Sequence, residues 1–219
     1  MKRLILFDCD GTLTDSNRLI VQAMRQGFDA HGLVAPDAAL VRHALGQSLR
    51  IVIDTLLHMQ GYEQHEHWIE PIAQAYRKHY RQGEKDVGLY AGVEYVLQTL
   101  KQRGYRMGIV TGKSKSGLER VLQDFDLHAY FDTYRTADCC HSKPHPEMAL
   151  ACMHELGMQP EQTALVGDSH ADMQLAKNAG VMAIGACFDD EDVGDLESQG
   201  AKYMVYSFEA LLDYFPALA

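Results

Sequence analysis

Three short apolar runs in this chain each stop at a polar motif. Leu4-Ile5-Leu6-Phe7 leads into Asp8-Cys9-Asp10-Gly11-Thr12, Met107-Gly108-Ile109-Val110 into Thr111-Gly112, and Ala164-Leu165-Val166 into Gly167-Asp168-Ser169-His170-Ala171-Asp172. A strand with one face in water alternates apolar and polar residues, whereas an unbroken apolar run is covered on both faces, as in a parallel sheet. Helical spacing fills the intervals: Val93, Val96, Leu97 and Leu100 precede Gly104, and Leu118, Val121, Leu122 and Phe125 follow the second run. Strands alternating with helices predict an α/β protein with a doubly wound parallel sheet. Further strands are expected near 133–136, 182–185 and 203–206.

One stretch breaks the alternation. From Ser16 to Gly83 the pattern is helical, interrupted at His31-Gly32, Ala35-Pro36, Gly46 and Gly61, with no convincing strand. The expected division is therefore a core of 1–15 and 84–219 with an inserted helical bundle, 16–83, joined by linkers near 14–17 and 84–88.

Composition narrows the partners. The 219 residues carry 30 acidic and 20 basic side chains, a formal charge of −10, which repels nucleic acid and anionic membrane surfaces. No apolar run has the length of a membrane span, and Met1-Lys2-Arg3 leads into a short strand-like run containing Asp8 rather than a signal-peptide core. Five cysteines, an odd number with no paired framework, fit a reducing compartment. The expectation is a cytoplasmic protein with no nucleic-acid or membrane partner; monomer and homodimer both stay open.

In an open parallel sheet ligands bind beyond the carboxyl ends of the strands, where Asp8, Thr111 and Asp168 emerge. With Asp10, and Lys143-Pro144 in a polar stretch, the motifs bring carboxylates, a hydroxyl and an ammonium together. These groups suit phosphoryl transfer: a carboxylate can attack phosphorus, a second can move a proton, and cationic and hydroxyl donors can hold the phosphoryl oxygens.

The order, types and separations of these four segments resemble the haloacid dehalogenase superfamily of phosphohydrolases, from Leu4 to about Phe215, and most closely its phosphoglycolate phosphatase-like branch. The resemblance implies a Rossmann-like core with a small helical cap that closes over the active site. It makes Asp8 the nucleophile that forms an aspartyl-phosphate and Asp10 the general acid and base. It makes Asp8, Asp168 and the backbone carbonyl of Asp10 the ligands of Mg²⁺. Thr111, Gly112 and Lys143 then stabilise the transferring phosphoryl group, and Asp172 supports Lys143 or metal-bound water.

The substrate implied is a small phosphorylated metabolite, phosphoglycolate first. Pyrophosphate is the runner-up, because Asn17 after Asp15-Ser16 resembles a pyrophosphatase branch, and a nucleotidase or sugar phosphatase stays open. Ile20 stands where related sugar-phosphate mutases commonly have His, which counts against a mutase. Arg50, in Gly46-Gln47-Ser48-Leu49-Arg50, and Arg18 are candidates to pair with a second anionic group, since a planar guanidinium suits a carboxylate. Cys9 is expected to turn away from its flanking carboxylates into the core. Cys139-Cys140-His141 with His145 lacks a second ligand pair at zinc spacing, and Cys139 and Cys140 receive no role.

Overall fold

The computed structural model describes residues 2–188 and 195–218. Its strands are β1 (Leu4–Phe7), β2 (Arg106–Thr111), β3 (Thr133–Thr136), β4 (Thr163–Gly167), β5 (Met182–Ala186) and β6 (Tyr203–Val205). Among the described residues they form one six-stranded parallel sheet in the order β3-β2-β1-β4-β5-β6. The order reverses direction between β1 and β4, the topological switch point where such sheets bind ligands. Phe7 pairs with both Ile109 and Val166, so the residues after β1, β2 and β4 leave the sheet at nearly one level.

The apolar runs are buried on both faces, as their lack of alternation requires. Ile5 and Phe7 of β1 pack with α5 (Val93–Gln102), α6 (Lys115–Asp124) and the C-terminal Phe208, Leu211 and Phe215. Leu4 and Leu6 face the other way, onto α7 (Glu147–Leu156) and α8 (His170–Ala179). Cys9 joins the first cluster and is fully buried. Gly108 in β2 has a steric reason: a Cβ there would lie 2.9 Å from side-chain carbons of Leu6 and Thr133.

Between β1 and α5 the chain forms four helices, α1 (Asn17–Asp29), α2 (Ala38–Ala44), α3 (Leu49–Met59) and α4 (Glu66–Gly83). They enclose a separate apolar cluster that includes Met24, Phe28, Val41, Ile53, Leu56 and Ile72. Helical periodicity explains which residues take part. In α1 Ile20, Val21, Met24 and Phe28 are buried, whereas Arg18, Gln22, Arg25 and Asp29 form the exposed stripe. The chain leaves and rejoins the sheet side by side: Thr14 bridges Leu89, and the Asp15 amide donates to the Gly88 carbonyl at 3.0 Å. No helix among the described residues is long and apolar enough to cross a membrane.

Phe28→Ala should lower unfolding free energy by about 3–5 kcal/mol, since it opens a large cavity in the helical cluster. Arg18→Ala on the same helix should stay within about 0.5 kcal/mol. Chemical denaturation of the two variants checks the contrast; equal effects would contradict the assignment of faces in α1.

Candidate active site

Three buried carboxylates and one buried ammonium meet at the switch point. Asp8 follows β1 directly, its amide donating to the Val166 carbonyl of β4 at 2.9 Å. Lys143 Nζ lies 2.8 Å from Asp8 Oδ1 and 2.5 Å from Asp172 Oδ1, and neither the lysine nor Asp172 has measurable side-chain exposure. Asp172 is set by helix capping. Ser169, the N-cap of α8, accepts a hydrogen bond from the Asp172 amide at 3.2 Å, and Asp172 Oδ2 accepts from the Ser169 amide at 3.1 Å. Gly167 leaves room for this turn, because a Cβ there would lie 2.4 Å from the Asp172 carboxyl carbon.

Asp168 completes the group. Thr12 Oγ1 donates to its Oδ1 at 2.9 Å and Asn17 Nδ2 to its Oδ2 at 3.2 Å. Carboxylate oxygens of Asp8, Asp168 and Asp172 all lie within 4.8 Å of one another. Burial, reinforced by Asp172 and Asp168 and offset in part by Lys143, holds Asp8 well above the usual carboxylate range. Burial and the nearby Asp172 push Asp168 up to about 7. Burial alone would lower Lys143, but Asp172 and Asp8 outweigh it and raise its pKa.

Three carboxylates against one ammonium leave this buried cluster short of positive charge. Asp172 is occupied by Lys143 and the Ser169 turn, which leaves Asp8 and Asp168 able to face a cation. The donors are hard oxygens, a set suited to Mg²⁺ or Mn²⁺ rather than to a metal that prefers sulfur or imidazole. The residues present therefore fit a divalent cation.

Asp10 stands a step away from that cluster. Its Oδ1 lies 2.8 Å from Lys113 Nζ and accepts from Ser16 Oγ at 2.5 Å. Thr111, the last residue of β2, is buried, and its Oγ1 accepts from the Lys113 amide at 3.2 Å. Asp8, Asp10, Thr111 and Gly112 open onto a cavity of about 590 Å³ between the sheet end and the helical bundle. Gly46 and Gly112 permit close backbone approach across it: a Cβ on Gly112 would lie 2.2 Å from the Gln47 carbonyl oxygen, and one on Gly46 2.2 Å from Ser169 Oγ. The Ser48 amide donates to Ser142 Oγ at 2.7 Å, a further bond between bundle and core.

The remaining candidates separate. Arg50 is exposed and lines the cavity. Arg18 does not; it lies on the solvent stripe of α1 because Asn17 and Ile20 take the inward positions. Asn17 reaches the cavity, yet its amide nitrogen is bonded to Asp168 rather than free to meet a ligand. Cys139 turns to its own loop, where Sγ accepts from the Thr136 amide at 3.4 Å, and all five cysteines are free. Sequence reasoning missed Lys113, Arg77, Arg81 and Arg120, which also line the cavity. For Lys113 a signal existed, its position directly after Thr111-Gly112 at a strand end. The arginines, on α4 and α6, carry no motif and are recognised only once the helices are packed.

Comparison with known proteins agrees with this geometry. Residues 5–186 match the family of haloacid dehalogenase-like hydrolases. A pyrophosphatase PpaX of Bacillus mycoides is 30% identical over 95% of this chain and 94% of its own. A phosphoglycolate phosphatase of Aquifex aeolicus is 30% identical over 81% of each chain. The crystal structure of a hydrolase from Pseudomonas syringae shares the fold, with a TM-score of 0.87 at 22% identity over 97% of this chain and 99% of that one. The chain belongs to the haloacid dehalogenase-like hydrolase family, and it is a hydrolase of the phosphatase kind.

A divalent cation should stabilise the protein more at about pH 8 than at about pH 5. Asp168 has a folded-state pKa of about 7, above its ordinary value of 3.8, so the folded state holds extra protons between the two. Its favourable contribution is complete below the lower value and lost as pH rises through the higher one. The charged cluster that a cation relieves is therefore fully developed only at alkaline pH. Melting temperatures with and without the cation at both pH values check this, and Asp168→Asn should remove most of the difference. An equal shift at both pH values would contradict it.

Proposed function

We propose that this protein is a Mg²⁺-dependent phosphatase that hydrolyses a small phosphate monoester through an aspartyl-phosphate on Asp8. The observation that carries the reading is the buried Lys143 ammonium 2.8 Å from Asp8, with Asp168 in the same cluster of oxygens. Lys143 can hold an incoming phosphoryl oxygen beside the carboxylate that attacks. When bound by Asp8, Asp168 and the carbonyl of Asp10, Mg²⁺ would offset the repulsion between Asp8 and an anionic phosphate.

The steps divide among the chain's own groups. An Asp8 carboxylate oxygen attacks phosphorus, the bond from phosphorus to the ester oxygen breaks, and Asp10 delivers a proton to the leaving oxygen. Asp10, now a carboxylate, takes a proton from water as that water attacks the phosphoryl group; inorganic phosphate leaves and Asp8 is regenerated. Thr111, the Gly112 amide and Lys143 stabilise the charge on the transferring oxygens. The bundle seated over the cavity excludes bulk water while this happens.

The cavity's cations support the choice of substrate class. Arg50, Arg77, Arg81 and Arg120 line it. Arg120 is held by a forked bond to Glu84, with contacts of 3.0–3.1 Å, and Arg77 lies 3.0 Å from Glu70. Arg81, and Arg50 with Glu70 nearby, are placed to meet a second anionic group, which favours a phosphoglycolate-like ester over a sugar phosphate whose leaving group is uncharged. Pyrophosphate is the second reading, because its leaving phosphate satisfies the same cations. Ile20, buried beside the cavity, offers no polar group to handle a sugar hydroxyl, as a mutase would require.

Phosphate release from phosphoglycolate, pyrophosphate, a sugar phosphate and an aryl phosphate, with and without a chelator, tests this. Turnover should require Mg²⁺, favour the two substrates that carry a second anionic group, and fall to background in Asp8→Asn. Arg50→Ala should raise KM for those two substrates and leave the aryl phosphate nearly unchanged. Full activity in metal-free buffer, or near-normal rates in Asp8→Asn, would overturn the proposal.

A further inference from the structure

Lys113 has a geometry that the steps above do not use. Its side chain is 9% exposed and spans from the end of β2 to the last turn of α4. At one side Nζ lies 2.8 Å from Asp10 Oδ1. At the other it donates to Tyr80 Oη at 3.0 Å and lies 4.9 Å from the centre of that ring. The backbone is held as well: the Lys113 amide donates to Thr111 Oγ1 at 3.2 Å, and its carbonyl accepts from the Ala137 amide at 3.1 Å. Burying an ammonium is costly unless partners replace its water, and here one carboxylate and one phenol supply them.

Tyr80 is as well fixed as the lysine. It is 7% exposed, stacks on Tyr76 with ring centres 5.8 Å apart, and packs with Ile20 and Ala23 of α1. Ser16, which also binds Asp10 Oδ1, immediately precedes α1. Both partners of that oxygen thus lead directly into the helical bundle, one through the Ser16 backbone and the other through Lys113 and Tyr80. Neither contact uses Oδ2, the oxygen available to exchange a proton with a leaving group.

We propose that Lys113 is a positioning residue for Asp10, and that its bond to Tyr80 makes the orientation of Asp10 depend on the seating of the helical bundle. This rests on the reading of Asp10 as the general acid and base. With the bundle seated, the ammonium and the Ser16 hydroxyl fix Oδ1 and leave Oδ2 aimed for proton transfer. If α4 moves away, Tyr80 withdraws from Lys113, and the ammonium loses the phenol that holds its far side. Proton delivery is then matched to the state in which the bundle shields the site from water. The competing role for Lys113, as a direct ligand of the substrate's anionic oxygens, places the same residue in the cavity but gives it a different kinetic signature.

The test is a series of phosphate esters graded by the basicity of the leaving oxygen, from an alkyl ester to an activated aryl ester. It is applied to the full-length protein and to Lys113→Met, Lys113→Arg, Tyr80→Phe and Asp10→Asn. The ratio kcat/KM is the quantity to read, because it reports steps through phosphoryl transfer to the enzyme and not the later hydrolysis common to all substrates. Positioning predicts that Lys113→Met lowers kcat/KM by about 10²-fold on the alkyl ester, since an acid matters most to a basic leaving group, and changes the aryl ester little. Tyr80→Phe keeps the ring and removes the hydroxyl, so it should show the same gradation at smaller amplitude, and Lys113→Arg should recover part of the loss. A uniform loss across the series would overturn the proposal in favour of direct substrate binding. Asp10→Asn separates the two layers. If it lacks the gradation, the reading of Asp10 has failed; if it shows the gradation and both Lys113→Met and Tyr80→Phe do not, the role of Lys113 has failed alone.

Discussion

The contact on which the site depends is the buried ion pair array in which Lys143 joins Asp8 to Asp172. A charged lysine with no exposed side-chain surface is stable only because carboxylates replace its hydration, and removing either partner would strand the other charge in a low-dielectric setting. The array links the end of β1, the loop carrying Lys143 and the first turn of α8. The sheet topology brings β1 and β4 side by side, and the Ser169 capping box orients Asp172 toward the lysine. Asp8 is therefore positioned by elements separated by most of the chain.

Electrostatics and function are coupled here. Burial, reinforced by more negative charge than Lys143 offsets, raises the pKa of Asp8 and Asp168 and makes the cluster costly to keep ionised. A divalent cation held by Asp8 and Asp168, as proposed, would relieve that cost and let an anionic substrate approach. Although the chain has a net charge of −10, the far wall of the cavity carries arginines, which suits an anionic substrate. The wall belongs to the helical bundle and the adjoining α6, the chemistry to the sheet end. The glycines at 46 and 112 let the two surfaces meet at backbone distance.

Much of this was legible in the sequence because the relevant constraints are local. Unbroken apolar runs specify strands covered on both faces, and each ends where the sheet delivers Asp8, Thr111 or Asp168. The strands near 133, 182 and 203 lie where their runs suggest. Lys143 could be placed by motif order, with Asp172 expected to support it or metal-bound water, and the structure pairs Asp172 with the lysine. What escaped notice depends on how helices face one another. Arg18 and Asn17 are adjacent in sequence, yet successive positions of α1 point about 100° apart, so Arg18 faces solvent and Asn17 meets Asp168. Lys113 follows Thr111-Gly112 at a strand end, but its bond to Tyr80, thirty-three residues earlier, exists only once α4 is packed. Arg77 and Arg81 share one helix and carry no motif, so only packing reveals that they border the cavity.

The central claim is that Asp8 carries the phosphoryl group between substrate and water. Mixing the Mg²⁺-loaded protein with a reactive aryl phosphate, quenching in acid within the first turnover and mapping peptides by mass measures this directly. The peptide containing Asp8 should gain the mass of one phosphoryl group, early and transiently, and lose it when the quenched sample is made alkaline. Phosphate release at full rate with no modified peptide at any quench time, or with the group on another residue, would contradict the mechanism.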